Sequence, residues 1–402
     1  MKNLFKKVAM VVAVTMLAVF TAYVTGCSKK NTEFVIGLSG PLTGPAAVYG
    51  LAVKNSAQMA VDEINENGGL GGYKFKLVAV DDQHDASKVS TNYGTLMKEG
   101  MQVSLGCVTT KPGLEFKKLS KDDNVFFMTP SATADAIPEF ANGYQMCFAD
   151  TKQGTYSANY VNDNVTTSNN KIGVLYNSQD DYSKGIYQNF KAQLASKFTL
   201  VEATFTEDNP TDLSSQVELL KDCEFIFLPI YYTPASVFMT AAKGKVSADT
   251  VYFGCDGLDG IDSAIEGFDI TTIPQEVSYL SHFNSQSPTG AAKTYIDKYT
   301  EKYGKDTLNQ FGASAYDCVY AIYGAMKNAY DKDNSKVTPS TSASDMCELL
   351  KAEIKGGYTF SGVTGTNVTW DANGYVNKAA FKYVVKAKST NYLVNNNPFW
   401  VG

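Results

Sequence analysis

Two short loops rich in hydroxyl side chains carry the clearest binding chemistry in the sequence. Residues 106–110 (G-C-V-T-T) and 129–133 (T-P-S-A-T) each follow an apolar run. Free N–H groups at the start of a helix, together with added hydroxyls, bind anions without a cationic side chain. Simple capping of a helix by Ser or Thr explains the same residues without a ligand. Both interpretations stay open, and both predict that each loop opens a helix.

The sequence contains no arginine, and this limits how an anion is held. Arginine is the side chain best suited to bidentate capture of a carboxylate or phosphate. A ligand carboxylate must therefore be bound by backbone N–H groups and hydroxyls. The net charge of −6 argues against nucleic acid as a partner.

The acidic and histidine residues do not form a convincing metal or catalytic centre. Asp81, Asp82, His84 and Asp85 lie together, and a solvated loop at a strand end is favoured there over a metal site. The segment that begins at Asp331 lacks the glycine and glutamate of a calcium loop. With only two histidines and no G-x-S-x-G motif, the sequence predicts no catalytic residue, metal or cofactor, and the protein is not expected to be an enzyme.

The elements that position these loops alternate between strands and helices. Apolar runs predict strands, whereas the spacing of Ala57, Ala60, Val61 and Ile64 predicts a helix. The strands are expected near 34–38, 74–80, 103–107, 125–129, 171–176, 199–206, 225–229 and 250–254. This alternation predicts an α/β fold with parallel sheets, in which ligands bind beyond the carboxyl ends of the strands.

The chain of 402 residues is long enough for two domains. One strand–helix series ends near residue 150, and a second runs from about 151 to 281. Three further helices are predicted at 291–303, 313–330 and 343–355.

The N-terminus has the layout of a secretory signal. Lys2, Lys6 and Lys7 precede an apolar run from residue 8 to 24, and V-T-G-C then ends at Cys27. This ending resembles a bacterial lipobox, which implies lipidation of Cys27 and an extracytoplasmic, membrane-anchored protein. An uncleaved transmembrane anchor is the alternative.

Six further cysteines lack C-x-x-C spacing, which argues against zinc and thioredoxin-like sites. They lie at positions 107, 147, 223, 255, 318 and 347. An oxidising compartment permits disulfides, and Cys318 with Cys347 is the favoured pair. Burial of most of them as small apolar residues is equally consistent with the sequence.

Several segments in order resemble the branched-chain amino-acid substrate-binding proteins of ABC transporters. They are V-I-G-L-S-G-P-L-T-G-P-A-A-V-Y-G, A-V-D-E-I-N-E-N-G-G-L-G-G, V-D-D-Q-H-D, M-T-P-S-A-T, D-D-Y-S-K-G, Y-Y-T-P, F-G-C-D-G and G-V-T-G-T-N-V-T-W-D-A-N-G. The resemblance implies a type I periplasmic-binding fold with two Rossmann-like lobes, three hinge crossovers near 150, 281 and 378, and a ligand cleft between the lobes. The implied domains are a leader of residues 1–27, a first lobe of 33–150 with 282–377, and a second lobe of 151–281 with 378–402.

The same resemblance implies the ligand-binding residues. Thr110, Thr133 and the backbone of Ser131 match the positions that bind an α-carboxylate in the relatives. Asp256 matches the acidic residue that binds the ammonium. Three tyrosines match the aromatic residues that face the ligand: Tyr49, Tyr182 and Tyr232.

Departures from the family leave the side-chain pocket open. His84 and Thr109 stand where some relatives have a disulfide, and Cys107 and Cys255 stand where proline is common. The implied function is delivery of an α-amino acid, branched-chain as the first candidate, to an ABC transporter permease by a monomer. The alternatives are an aromatic or small polar amino acid, an amide, a sugar or a nucleoside, and a sensor role in place of transport.

Overall fold

The computed structural model describes residues 32–263 and 265–386. The predicted leader, the lipidation site Cys27 and residues 387–402 of the implied second lobe lie outside the described residues. Within the described ranges, none of the helices is long and apolar enough to cross a membrane.

The first sheet contains five parallel strands in the order β2-β1-β3-β4-β5. The strands are β1 (Glu33–Gly40), β2 (Lys74–Asp81), β3 (Val103–Cys107), β4 (Phe126–Thr129) and β5 (Gly143–Gln145). All residues of β3 and β4 are buried. Helices cover both faces of such a sheet, so its central strands are apolar throughout rather than alternating.

Six helices belong with this first sheet. They are α1 (Ala47–Glu66), α2 (Val89–Lys98), α3 (Thr110–Asp122), α8 (Gly290–Tyr303), α9 (Gln310–Lys332) and α10 (Ala343–Lys355). Gly312 of α9 packs so closely on α1 that an added Cβ would lie 2.8 Å from the Ser56 hydroxyl. The same hydroxyl bonds Tyr295 of α8 at 2.7 Å. The late helices are therefore held on the first lobe, although they follow the second lobe in the chain.

The second sheet contains six strands in the order β11-β10-β9-β8-β6-β7. The strands are β6 (Lys171–Asn177), β7 (Thr199–Phe205), β8 (Phe225–Leu228), β9 (Val251–Gly254), β10 (Glu276–Ser281) and β11 (Phe381–Lys386). Only the pairing of β10 with β11 is antiparallel in the described sheet. Its helices are α4 (Asp150–Asn164), α5 (Asp181–Gln193), α6 (Ser214–Leu220) and α7 (Tyr232–Ala242).

The two lobes share one topology, and the chain passes between their sheets three times. These passages follow β5, follow β10 and precede β11. In each sheet the second strand lies on one side of the first, and the third lies on the other. This arrangement confirms the predicted α/β fold of two Rossmann-like lobes. The residue limits proposed for the lobes stay a prediction.

All predicted strands are present, but three observed strands were not predicted. β5 is three residues long, and β10 and β11 carry no clear alternation of apolar and polar residues. The prediction that both hydroxyl-rich loops open helices is right for 106–110, which leads into α3, and wrong for 129–133, which leads into irregular chain.

The six cysteines after Cys27 are all free and buried. The favoured pairing of Cys318 with Cys347 is therefore wrong, and the alternative of small buried residues holds. Burial raises the pKa of the Cys318 thiol well above its usual value and that of Cys347 to about 12. The reactive thiolate is accordingly scarce in the folded protein.

We predict that iodoacetamide leaves these six cysteines unmodified in the native protein and alkylates all six in urea without reductant. The measurement is peptide mass spectrometry at each position after a short exposure at pH 8. A cysteine that reacts in urea only after reduction would show a disulfide at that position.

Candidate ligand-binding site

The predicted ligand residues meet where the two sheets present the carboxyl ends of their strands. In each open sheet the switch in strand order, between β1 and β3 or between β6 and β8, leaves a crevice at this edge. All seven side chains are at most 8% exposed. They follow β1 (Tyr49), β3 (Thr110), β4 (Ser131, Thr133), β6 (Tyr182), β8 (Tyr232) and β9 (Asp256).

The loop after β1 is fixed by a carboxylate from the end of β2. Asp81 accepts the N–H of Leu42 at 2.8 Å and the hydroxyl of Thr43 at 2.6 Å. Gly50 packs against Pro41, whose carbonyl oxygen would lie 2.0 Å from any added Cβ. Only glycine fits there, and the loop is thereby held so that α1 starts with its tyrosine facing the second lobe.

The acidic loop after β2 is exposed at Asp85 and buried at Asp82. Asp82 is fully buried and accepts the Ser39 hydroxyl and the His84 N–H, each at 3.0 Å. The prediction of a solvated loop is therefore wrong for Asp82. His84 Nδ1 lies 2.8 Å from the Thr109 hydroxyl. A hydrogen bond thus joins the two positions at which some relatives have a disulfide.

Tyr49 connects the two lobes. Its hydroxyl donates to the carbonyl of Gly257 and accepts the N–H of Tyr232 at 3.4 Å. Its ring meets Tyr232 edge-on at 5.0 Å and Phe311 at the same distance. Burial raises the pKa of Tyr49 well above its usual value, so the hydroxyl keeps the proton that it donates. This residue closes the cleft by direct contact between the lobes.

The two hydroxyl-rich loops are bonded to each other. The Thr129 hydroxyl donates to the Cys107 carbonyl at 2.9 Å, and the Ser131 hydroxyl donates to the Val108 carbonyl at 2.6 Å. The Ser131 N–H, the predicted carboxylate donor, lies 3.3 Å from the Thr129 hydroxyl. The Thr109 side chain at the start of α3 makes no capping bond. Helix capping therefore does not account for these hydroxyls.

Asp256 and Tyr182 form the acidic end of the cleft. Tyr182 donates its hydroxyl to Asp256 Oδ1 at 2.8 Å and accepts the N–H of Gly257 at the same distance. The Asp256 N–H donates to the side chain of Gln153 at 3.1 Å. The second carboxylate oxygen, Oδ2, is buried and has no hydrogen-bond partner among the described residues. Burial raises the pKa of Asp256 to about 7.

Asp150 also lies in the cleft, although the sequence pattern indicated it only as the end of the first domain. It is the first residue of α4, directly after the first passage between lobes, and its N–H donates to the Thr133 carbonyl at 2.9 Å. Burial raises its pKa well above the usual range, and the charge of Asp256 adds to the effect. Two like charges in one desolvated cleft favour a cation between them.

Several buried polar atoms of the cleft lack a hydrogen-bond partner within the described chain. We call them the open cleft atoms: Thr133 Oγ1, Asp150 Oδ1, Gln153 Nε2, Asp180 Oδ1, Tyr231 Oη and Asp256 Oδ2. A buried polar group without a partner costs about 1–3 kcal/mol. Against the effect of burial, the Thr133 hydroxyl lowers the pKa of Asp150 and the Gln153 amide lowers that of Asp256, so four of these atoms lie beside one another in two pairs. Gln153, Asp180 and Tyr231 were not predicted from the sequence.

The sequence matches the periplasmic binding protein family over residues 33–390. The chain belongs to this family. The resemblance found in the sequence segments is thereby confirmed, and the match extends over both lobes of this periplasmic binding protein.

Individual relatives are distant in sequence and close in fold. A leucine-, isoleucine-, valine-, threonine- and alanine-binding protein of Pseudomonas aeruginosa is 25% identical over 389 residues, which cover 93% of this chain and 94% of the relative. The branched-chain amino acid transporter substrate binding protein LivJ of Streptococcus pneumoniae, solved with isoleucine, is 24% identical, with a TM-score of 0.74 over 88% of this chain and 98% of its own. A solute binding protein of R. palustris, solved with benzoate, is 16% identical, with the same TM-score of 0.74 over 91% of this chain and 97% of its own.

The raised pKa of Asp256 predicts a specific pH dependence of stability. Its pKa is about 7 in the folded protein against an ordinary value of 3.8, so the folded state holds this proton more tightly than the unfolded chain does. The favourable effect is complete below pH 4 and is lost as the pH rises through 7. The asparagine of Asp256→Asn cannot ionise. The free energy of unfolding of this variant should therefore rise relative to that of the wild type between pH 4 and 7, by up to about 4 kcal/mol.

The measurement is urea unfolding of the ligand-free protein, first unfolded and dialysed to remove any bound solute, at pH values from 4 to 8. The exposed Asp163→Asn variant on α4 is the control and should follow the wild type. A stability difference between Asp256→Asn and wild type that does not change with pH would contradict this account.

Proposed function

We propose that this protein is a solute-binding protein that captures an α-amino acid between its lobes and delivers it to an ABC transporter permease. The observation that carries the proposal is the pair of buried carboxylates, Asp256 and Asp150, opposite a set of hydroxyls in a cleft without arginine. No bond of the ligand is made or broken, because the cleft only binds, and the ligand should be recovered unchanged.

The acidic end suits a ligand ammonium. Asp256 offers Oδ2 and Asp150 offers Oδ1, both buried and without a partner in the described part of the chain. An ammonium has three N–H donors, so it can bond both carboxylates at once. Charge-assisted bonds of this kind are the strong ones. The cation also removes the repulsion between the two carboxylates, which supports a bound amine over a neutral ligand.

The hydroxyl end suits a ligand carboxylate. Thr133 offers a buried hydroxyl without a partner in the described residues. Thr110 is the first residue of α3, where the helix N–H groups are free to bind an anion. The backbone of Ser131 remains the third proposed donor. Because the Asp150 N–H donates to the Thr133 carbonyl at 2.9 Å, the acidic and hydroxyl ends lie side by side, as the two charged groups of an α-amino acid do.

Several direct contacts join the lobes. Besides Tyr49, Lys111 lies 3.3 Å from Asp208, and the Thr233 hydroxyl donates to the Pro45 carbonyl at 3.0 Å. The Gln310 N–H of the first lobe donates to Asp259 of the second at 3.0 Å. A ligand that contacts both lobes only when they are closed adds to these contacts and shifts the equilibrium toward closure. The rings of Tyr182 and Tyr232 form the second-lobe wall.

The relatives support an amino acid and leave a second candidate class. The P. aeruginosa relative is named for five amino acids, whereas the R. palustris structure holds benzoate. An aromatic acid without an amine would leave Asp256 and Asp150 without a counter-charge, so we place it second. A sensor that reports the same ligand to a signalling partner would use an identical cleft.

We predict that the full-length protein, purified in detergent, binds at least one L-α-amino acid with a Kd of about 1 µM or lower. Asp256→Asn should weaken binding by about 100-fold or more, because removal of one member of a buried charge pair costs roughly 3–5 kcal/mol. Isothermal titration against the twenty amino acids, benzoate and 4-hydroxybenzoate measures both quantities.

Asp163→Asn, exposed on α4, is the control and should bind like the wild type. Binding of a benzoate in preference to every amino acid would exclude the amino-acid assignment. Equal affinity in Asp256→Asn would exclude the ammonium role of Asp256 while leaving the family unaffected.

The location is also part of the proposal. We propose that the chain works outside the cytoplasm as a monomer, held to the membrane by a lipid on Cys27. Cys27→Ser should move the protein from the detergent-extracted membrane fraction to the soluble extracytoplasmic fraction without a change in ligand affinity. Retention of the variant in the membrane would instead support an uncleaved anchor.

A further inference from the structure

Two of the open cleft atoms do not belong to either end of an α-amino acid. Asp180 caps the N-terminus of α5 through Oδ2, which accepts the Ser183 N–H at 3.0 Å. Its other oxygen, Oδ1, is buried and has no partner in residues 32–263 and 265–386, and neither has the hydroxyl of Tyr231. Asp180 is only 2% exposed. Bulk water therefore does not satisfy this carboxylate oxygen.

Tyr231 lies beside Tyr182 at the end of β8. The Tyr231 ring stacks on Tyr182 at 4.7 Å with 13° between the planes, and His84 from the first lobe meets it edge-on at 5.2 Å. Besides burial, the charge that most raises the pKa of Tyr231 is that of Asp180. Asp180 lies two residues before Tyr182, whose ring stacks on Tyr231, and His84 borders that ring from the first lobe, so Asp180 and Tyr231 lie in the same part of the cleft.

The surroundings provide no competing partner for Asp180. Lys111, whose charge lowers the pKa of Asp180, lies 3.3 Å from both carboxylate oxygens of Asp208. Burial lowers the pKa of His84, which keeps its ring neutral, and its Nδ1 is engaged with Thr109. An apolar ligand side chain in this region would leave both oxygen atoms unpaired, whereas a donor group would bond them.

We propose that Asp180 and Tyr231 form the side-chain end of the ligand site and select an α-amino acid whose side chain ends in a hydrogen-bond donor over the branched-chain amino acids. This inference rests on the proposed amino-acid function. The shared ligand chemistry is a side-chain N–H or O–H. A hydroxyl, an amide and an ammonium are the three forms of it that the test separates.

Pairs of ligands with nearly equal shape test the proposal. Threonine with valine, asparagine with leucine, and lysine with norleucine each differ mainly by a donor. The full-length protein in detergent is titrated with all six. In at least one pair the donor should bind about ten-fold or more tightly than its apolar partner, because an unmatched buried polar group rejects the analogue that lacks its partner. The ligand pair with the largest ratio of affinities shows whether the preferred donor is a hydroxyl, an amide or an ammonium.

Two variants locate the effect. Tyr231→Phe removes the hydroxyl and keeps the stacked ring, and Asp180→Asn removes the charge and keeps an oxygen that can accept from Ser183. Each should reduce the donor-to-apolar ratio by about ten-fold and leave the affinity for the apolar ligand unchanged. The melting temperature of ligand-free Tyr231→Phe should not fall, since the lost hydroxyl has no partner in the described chain.

The neighbouring Asp181→Asn is the matched control. Asp181 is 49% exposed and pairs with Lys184, so its substitution should leave the ratio as in the wild type. Apolar ligands that bind as tightly as the donors in all three pairs, or a ratio unaffected in both variants, would overturn the proposal. Failure of the amino-acid function is a different result, in which none of the six ligands binds the wild type.

Discussion

The structure depends above all on a carboxylate, that of Asp256, buried where the two lobes meet. Tyr182 holds one oxygen at 2.8 Å, and Gly257, the next residue, accepts the Tyr49 hydroxyl from the other lobe. Contact between the lobes therefore also removes the Asp256 carboxylate from water. Closing the cleft without a cation raises the free energy of Asp256, and closing it on a cation does not. This coupling makes closure more favourable on a cationic ligand than on an empty cleft.

A second buried charge lies where the chain passes between the two lobes. Lys378 precedes β11 and is only 4% exposed; its ammonium lies 3.3 Å from Ser314 of α9. The same hydroxyl lies 2.7 Å from His282, which follows β10. Burial lowers the pKa of Lys378 to about 8, and the charge of Asp317 opposes this. Because a buried charge is costly to separate from its partners, the second and third passages between the lobes are both attached to α9.

The sequence predicted the fold, whereas the ligand roles that the resemblance implies for Thr133 and Asp256 stay a prediction. Apolar runs with helices between them place β1, β3 and β4, and parallel strands bring their carboxyl ends to one edge. β5 is too short for a pattern, and β11 pairs with a strand about a hundred residues away. Asp150 and Asp180 lie at the starts of helices, where an acidic residue is common. Only their position where the two lobes meet distinguishes them from ordinary capping residues. The sequence pattern also does not show that the chain after Thr133 is irregular, because tertiary contacts determine this.

The difference between the two ends follows from what all candidate ligands share. Every α-amino acid has the same ammonium and carboxylate, so the loops that we propose for their binding, which carry Thr133 and Asp256, can be fixed by the ends of β4 and β9. The side chain of the ligand instead contacts residues from several loops, and the fold does not determine how these loops lie relative to one another. His84 and Thr109 illustrate this: a hydrogen bond of 2.8 Å joins them, where a disulfide would fix the loops covalently. A bond of that strength contributes about 1 kcal/mol, so this wall can adjust its position around the Tyr231 ring.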